Sequence, residues 1–155
     1  MAPTAHIFQI NASQGGVPKL AEAEADVTAL GLSSDKQNNL AVHGGPERAL
    51  CLYSLERILA LQEEGHPIFP GSTGENITLV DLDWQAVTPG VCLQLGKEVV
   101  VEVTRYTTPC SKITGSFADH DSARIAQEQH SGWSRVYVRV LHTGHIRVGD
   151  PVSLL

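Results

Sequence analysis

Hydrophobic residues along this chain recur mostly at the two-residue spacing that is typical of β-strands. The clearest example is the β-branched run 99–104, Val-Val-Val-Glu-Val-Thr, which is followed by a polar turn. Turn residues separate similar short runs along the whole chain. We predict strands at 5–10, 25–30, 48–53, 77–80, 91–95, 99–104, 134–141, 145–148 and 152–155. Many short strands with few helices predict a mainly β fold, a barrel or a folded-over sheet.

Helical spacing is clear in one place. Apolar residues mark one face of the segment 55–64, Ser54 is a suitable N-cap, and Gly65 with Pro67 supplies a stop. A second short helix is predicted at 121–129, capped by Asp121 or Ser122. The segment 20–32 is ambiguous, because its Ala/Glu-rich start favours a helix while its second half alternates as a strand does. We predict a strand for that second half.

Length and composition restrict the class of protein. A chain of 155 residues with 42% hydrophobic and 18% charged residues predicts one folded domain, spanning residues 1–155. No apolar run approaches the roughly 20 residues of a membrane span, and no signal-peptide pattern opens the chain, so we expect a cytoplasmic protein without a membrane partner. The net charge of −6 argues against a nucleic-acid polymer as partner, although a local pocket for a small anion is compatible with it.

The three cysteines do not form a disulfide framework or a zinc ribbon, because their number is odd and no Cys-x-x-C pair occurs. Cys51 and Cys92 have apolar strand neighbours and are predicted to be packed. The seven histidines include no His-Glu-x-x-His motif, so a dedicated zinc site is disfavoured. Cys110 is different, because it follows Pro109 where the apolar run gives way to a polar turn.

A thiol at the end of a strand is a candidate for chemistry. Arg105 and Lys112 lie close to Cys110 in sequence, and cations near a thiol favour the nucleophilic, metal-binding thiolate. Such a sulfur can ligate a soft metal, carry sulfur as a persulfide or attack an electrophile. The residues alone do not choose among these roles, and packing of a small apolar side chain is the alternative.

Two further polar clusters are candidate binding loops. Paired glycines beside an imidazole and a guanidinium suit an anionic or heteroaromatic ligand, although a tight surface turn explains the same pattern. That cluster runs from Asp35 to His43, Gly44, Gly45 and Arg48. The loop 71–76, Gly-Ser-Thr-Gly-Glu-Asn, matches neither a phosphate loop nor a Rossmann fingerprint, and no Gly-x-Ser-x-Gly elbow supports a serine hydrolase. By its residues alone, this loop is a hydrogen-bonding turn.

In their order along the chain, these elements resemble the MOSC family, named for the C-terminal domain of molybdenum cofactor sulfurase. The resemblance extends almost from end to end and is greatest for the stand-alone branch of the family. One element departs from the pattern, since Ser34 precedes Asp35 where related sequences commonly have glycine. The matching elements are Val17-Pro18-Lys19, Gly31-Leu-Ser-Ser-Asp35, His43-Gly-Gly-Pro-Glu-Arg48, Gly74-Glu75-Asn76, Gly90 with Leu95-Gly96, Pro109-Cys110, Gly132-Trp133 and Gly144-His-Ile-Arg-Val-Gly-Asp150.

The resemblance implies a MOSC-type β-barrel, similar to the pyruvate-kinase β-barrel, and a role with the molybdenum cofactor, molybdopterin. Cys110 falls where family members that reduce N-hydroxylated substrates have their molybdenum ligand, and where sulfurases are thought to carry sulfur. A reductase would need a proton donor, for which His43 is a candidate, and a separate electron-transfer reductase. A sulfur carrier would need a cysteine desulfurase. The residue types for binding the cofactor are supplied by Lys19, Asp35, Gly44, Gly45, Arg48, Gly74, Glu75, Asn76 and Arg105.

Overall fold

The computed structural model describes residues 4–36 and 44–155. In these ranges the chain forms eleven β-strands, one α-helix and four short 3-10 turns. The strands are β1 (His6–Ala12), β2 (Leu20–Glu22), β3 (Glu24–Thr28), β4 (Gly31–Leu32), β5 (Leu50–Ser54), β6 (Ile77–Val80), β7 (Cys92–Leu95), β8 (Val99–Tyr106), β9 (Val136–His142), β10 (Gly144–Arg147) and β11 (Val152–Leu154). The helix is α1 (Leu55–Glu63), and the 3-10 turns are Pro46–Arg48, Trp84–Ala86, Ser111–Ser116 and Ser122–Ile125.

The predicted mainly β fold is confirmed, but the sheet is not a fully paired barrel. Eight strands pair in the order β11-β7-β8-β9-β5-β6-β1-β2, and three more form the small sheet β10-β3-β4. The two sides of the large sheet meet at an isolated bridge between His6 and Pro151, where Ile7 also exchanges backbone hydrogen bonds with Gly149 and Asp150 and the Val152 amide donates to the Ala5 carbonyl. Proline has no N–H to donate to a ladder, and β2 pairs with the remainder of the same edge of β1. The sheet is therefore curled and joined over a short stretch, without a continuous closing ladder.

The core follows the alternation read from the sequence. Val99, Val101 and Val103 of β8 are almost completely buried, as are Val136 and Val138 of the neighbouring strand β9. Intervening side chains of both strands are only partly buried. Side chains that alternate across a pleated strand place every second residue on one face, so one face of this sheet is the hydrophobic core.

Helix α1 begins and ends where its sequence predicts. The Ser54 hydroxyl accepts a hydrogen bond from the Arg57 amide, which satisfies one of the free donors at the helix start. Gly65 has a φ of +97°, a left-handed conformation in which glycine ends many helices. The buried face presents Ile58 and Leu61 to the sheet.

Two segments with helical propensity do not form α-helices. The Ala/Glu-rich segment becomes β2 and β3, which pair with β1 and β10, so the predicted strand in its second half is confirmed. The predicted helix at 121–129 is wrong, because only the 3-10 turn Ser122–Ile125 forms there. Asp121 does cap this turn, but the turn buries only Ser122 and Ile125. A short helix needs an apolar face to stabilise it, and this segment does not supply one.

Among the described residues, no helix combines the length and apolar character that crossing a membrane requires.

Candidate functional site

A cleft opens where four segments of the chain meet beside the core strands. The turn 16–19, the loop 73–76 and the loop 110–113 form its walls. Its remaining lining comes from Lys36, Arg48, Cys51 of β5, and the residues Arg135 and Tyr137 around the start of β9. The antiparallel register pairs Cys51 directly with Tyr137, so the two strands present these side chains side by side.

The structure brings five of the predicted site residues together in this cleft: Lys19, Arg48, Gly74, Asn76 and Cys110. The others that it describes lie elsewhere. Asp35 and Glu75 are behind the lining, Gly44 and Gly45 precede the 3-10 turn Pro46–Arg48, and Arg105 is exposed on β8. His43, the predicted proton donor, is outside the described residues.

Lys19 is held at the cleft by a buried ion pair. Its Nζ lies 2.6 Å from Oδ1 and 2.7 Å from Oδ2 of Asp35, whose side chain is only 2% exposed. Asp35 also accepts hydrogen bonds from the Ser13 amide and from Nδ2 of Asn76, each at 2.9 Å. A buried charge is tolerated when it is paired and hydrogen-bonded in this way. The carboxylate therefore fixes the position of Lys19 and neutralises its charge.

Asn76 joins this ion pair to the central sheet. Its Oδ1 accepts from the Cys51 amide at 2.9 Å, while Nδ2 donates to Asp35 and, at 3.5 Å, to the Asn11 carbonyl. An asparagine amide has two N–H donors, and both have protein partners here. Asn76 thus lines the cleft while its amide stabilises the strands beneath it.

Glu75 belongs to the interior of the loop 71–76. Its fully buried carboxylate accepts from the Gly71 amide at 3.0 Å, the Thr73 hydroxyl at 2.8 Å and the Thr78 hydroxyl at 3.2 Å. Burial raises the pKa of Glu75 above its ordinary value, because the charged form loses its hydration, and the hydrogen bonds from Gly71 and Thr73 only partly oppose this. The contacts of this carboxylate shape the loop from within.

Glycine is required at two points where the loop 71–76 approaches Lys19. A Cβ on Gly71 would collide with the Lys19 carbonyl oxygen, and the Lys19 amide donates to the Gly71 carbonyl at 2.9 Å. Gly74 has a φ of +85°, and a Cβ there would lie 3.1 Å from Cγ1 of Val17. The two glycines therefore let the loop pack directly against the turn that carries Lys19.

Cys110 lies in the cleft wall at the start of the 3-10 turn Ser111–Ser116, four residues after β8 ends. It is a free, partly exposed thiol. Its carbonyl accepts from the Ile113 amide at 3.3 Å and the Ser122 hydroxyl at 3.4 Å, which holds the residue from two sides. Lys112 lines the same cleft, so one of the two cations predicted to accompany the thiol is present there.

Cys51 is buried as predicted, yet its residue also contributes to the floor of the cleft. Burial raises the pKa of Cys51 to about 12, so its sulfur stays protonated at neutral pH. Burial likewise raises the pKa of Tyr137 to about 12. The cleft therefore contains a protonated thiol and a protonated phenol beside the more exposed thiol of Cys110.

The charge of the cleft is opposite to that of the whole chain. Five of the eleven Lys and Arg residues line it, and none of the described Asp and Glu residues does. The five cations are Lys19, Lys36, Arg48, Lys112 and Arg135. A cluster of cations in a concave site favours anionic ligands, so this cleft is suited to a small anion even though the net charge is −6.

Sequence reasoning missed several of the lining residues, of which Arg135 and Tyr137 are the most informative. The sequence pattern could have indicated both residues. They alternate with the core residues Val136 and Val138, so their side chains lie on the opposite face of the strand. Thr73 and Lys36 also line the cleft, but the sequence shows only that they belong to polar loops, which does not predict a binding role.

In the described parts of the chain, no three His, Cys, Asp or Glu side chains are close enough together to hold a metal ion. A metal bound at Cys110 by these residues would therefore need ligands that the described protein groups do not supply. A metal that arrives with its own organic ligands meets this condition.

The profile of the MOSC domain matches residues 39–153 of the chain. The chain belongs to the MOSC domain family. The match includes the loop 71–76, Cys110, Arg135 and Tyr137, so the candidate site lies largely inside the MOSC domain. The predicted family is thereby confirmed.

Relatives of this MOSC protein include both bacterial and fungal chains. Protein YiiM of Escherichia coli is 30% identical over 139 residues, which cover 86% of this chain and 60% of YiiM. A Gibberella moniliformis protein named Reductase is 32% identical over 118 residues, 73% of this chain and 20% of that protein. The chain thus spans three fifths or less of the length of these two relatives.

A solved structure extends the likeness to nearly the whole fold. The crystal structure of YiiM from Geobacillus stearothermophilus superposes with a TM-score of 0.73 at 27% sequence identity. The superposition covers 97% of this chain and 75% of that one. The curled sheet and the loops around the cleft therefore belong to an architecture shared with YiiM.

Proposed function

We propose that this MOSC protein binds the molybdenum cofactor, with Cys110 as the protein ligand to molybdenum, and reduces N-hydroxylated substrates. The observation that carries the proposal is a partly exposed thiol in a cleft lined by five cations and no described carboxylate. When bound, the cofactor would supply a redox-active metal to which a substrate oxygen can bind. The likeness to a protein named Reductase supports the same chemical class.

The residues of the cleft fit the chemical parts of this cofactor. A soft metal prefers a thiolate, and Cys110 is the accessible thiol of the lining, since Cys51 is buried and protonated. A phosphate group prefers Arg and Lys, which the cleft has in excess.

The remaining roles follow from the positions of the side chains. Tyr137 keeps its proton at neutral pH and can donate a hydrogen bond inside the cleft. Proton delivery to the substrate by His43 stays a prediction, as does the cofactor-binding role of Arg105. Electrons would come from a separate reductase, which the proposal requires as a partner.

Metal analysis of protein made in a host that synthesises the cofactor tests this proposal. We expect about one molybdenum per chain, loss of molybdenum in Cys110→Ser, and retention in the matched control Cys92→Ser, because Cys92 is not among the cleft residues. N-hydroxylated substrates should be reduced only by the molybdenum-containing samples. Activity in protein from a host that lacks the cofactor would refute the proposal.

A second candidate function is sulfur transfer, in which Cys110 carries a persulfide received from a cysteine desulfurase. The buried, protonated state of Cys51 favours it, because no second thiolate in the cleft lining would attack the persulfide and release its sulfur. Mass spectrometry after incubation with a desulfurase and cysteine distinguishes the two functions. An adduct of one sulfur atom on Cys110 without bound molybdenum supports transfer, and molybdenum without the adduct supports the reductase.

A further inference from the structure

Arg135 is a buried cation of the cleft without a carboxylate partner. Its residue is only 7% exposed, whereas no Asp or Glu oxygen of the described chain forms a salt bridge with it. Nη1 donates to the Thr73 carbonyl, and the buried Nε has no hydrogen-bond partner. A guanidinium has five N–H donors, so the described residues use little of the donor capacity of this side chain.

The contrast with Lys19 shows that this arrangement is unusual within one cleft. Lys19 is buried to the same degree, and Asp35 neutralises it with two contacts of 2.6 and 2.7 Å. Burying an unpaired charge is costly, and proteins normally provide a counter-ion. Arg135 has none in contact, although it lines the same open site.

Glu75 does not provide this counter-ion. Its carboxylate acts on Arg135 only through space, and its own hydrogen bonds go to Gly71, Thr73 and Thr78. Burial also favours its neutral form, which carries no charge to offset the guanidinium. The positive charge at this end of the cleft is therefore left for a ligand to neutralise.

We infer that Arg135 anchors a subsite for a phosphate group, the anionic end of the ligand that occupies the cleft. The inference rests on the proposed function, in which the cofactor brings a phosphate monoester. A phosphate dianion suits the site better than a carboxylate, because it carries two charges and more acceptor oxygens for the surrounding cations. Arg135 gives a planar fork of donors, and Arg48 and Lys112 of the same lining add positive charge. Of these three cations, only Arg135 is fixed by burial before a ligand arrives.

Titration with inorganic phosphate tests the subsite without any cofactor. Protein from a host that cannot make the cofactor is labelled with ¹⁵N, and the arginine Nε–H resonances are followed by NMR at constant ionic strength. We expect a saturable shift of the Arg135 resonance and no shift for Arg139, which is paired with Glu102 and Glu47 outside the cleft. Binding should weaken as the pH falls through the range where inorganic phosphate takes up a proton and loses its second charge.

Three variants complete the test. Arg135→Gln should weaken phosphate binding about tenfold or more, because a charge-assisted pair is lost. Arg135→Lys keeps the charge but lacks the planar pair of donors. Its affinity for phosphate should lie between those of Arg135→Gln and the wild type. Arg139→Gln is the matched control and should bind as the wild type does. If Arg135→Gln does not fold, the wild-type resonance shift decides, since it needs no substitution.

The subsite is refuted if phosphate saturates the protein without moving the Arg135 resonance, if no saturable binding occurs, or if Arg135→Gln binds as tightly as Arg139→Gln. Its failure is distinguishable from that of the proposed function. Phosphate binding that depends on Arg135, in a protein that never acquires molybdenum, supports the subsite and refutes the cofactor. Equal molybdenum content in wild type and Arg135→Gln refutes the subsite and leaves the cofactor proposal intact.

Discussion

The buried carboxylate of Glu75 allows the loop beneath the cleft to be tested by two substitutions that differ in one property. Glu75→Gln keeps the shape and removes the charge. An amide oxygen can accept from Gly71 and Thr78, while the amide nitrogen donates to the Thr73 hydroxyl, which accepts as readily as it donates. Glu75→Ala removes all three acceptor contacts and leaves the buried Gly71 amide unsatisfied.

The magnitudes follow from these contacts. One orphaned backbone donor costs about 1–3 kcal/mol, and the lost methylene and two weakened hydroxyl bonds add about 1–2 kcal/mol, so Glu75→Ala should lose about 3 kcal/mol of unfolding free energy. At a pH below the folded-state pKa of Glu75, the unfolding free energy of Glu75→Gln should lie within about 1 kcal/mol of the wild type, since glutamine resembles the protonated carboxyl group.

The two proteins should then diverge with pH. Because the folded-state pKa of Glu75 is raised above 4.5, the folded wild type holds a proton that the unfolded chain has already released. The wild type therefore loses stability as the pH rises from the pKa of Glu75 in the unfolded chain to its pKa in the folded protein. Glu75→Gln has no titrating group at this position and does not show this loss. The glutamine variant should therefore gain stability relative to the wild type until the folded pKa is passed.

Urea unfolding followed by fluorescence of Trp84 and Trp133 at a series of pH values measures these differences. Taking the difference between variants cancels the titration of every group that they share. The reasoning is refuted if Glu75→Gln is as unstable as Glu75→Ala at the acidic end of the series, or if the difference in unfolding free energy between Glu75→Gln and the wild type does not change with pH.

Two further predictions concern the thiols and the glycines. Iodoacetamide at pH 8 should label Cys110 in the native protein and leave Cys51 unlabelled, because burial excludes the reagent and raises the pKa of Cys51 to about 12; peptide mass spectrometry checks this, and equal labelling of both would contradict it. Gly74→Ala should destabilise by about 2–3 kcal/mol and Gly149→Ala by about 1–2 kcal/mol in urea unfolding. Both positions have positive φ, but only a Cβ at 74 meets a neighbouring side chain, so equal losses would show that the contact with the turn 16–19 is unimportant.

The elements that the sequence predicted well are those whose signal is local. Ser54 and Gly65 delimit helix α1 because capping and left-handed backbone depend on single residues and their immediate neighbours. The strand β8 was predicted because β-branched residues alternate with polar ones on a half-buried surface. The segment 121–129 was mispredicted because a short helix depends on an apolar face against the rest of the protein, which local sequence does not reveal.

The cleft was predicted only where motif residues happen to face it. Lys19, Gly74 and Cys110 come from loops that protein folding brings together across more than ninety positions, and the family resemblance related them before any geometry was known. Arg135 was missed, because a single charged residue at the start of a predicted strand, here 134–141, is usually exposed to solvent. Its burial arises from contacts with the loop 71–76, far away in sequence.

The structure divides the predicted site into a lining and a support, and this division changes what the motif Gly74-Glu75-Asn76 implies. Asp35 and Glu75 are buried acids whose oxygens already accept hydrogen bonds from three protein groups each. A buried polar side chain whose hydrogen bonds are all made within the protein tolerates few replacements. A residue that only supports the site can therefore be part of a sequence motif as readily as a residue that binds the ligand. The excess cationic charge at Arg135 has no such internal partner. In this cleft, the position of a ligand is therefore better inferred from groups with unused hydrogen-bonding capacity than from the residues of the sequence motif.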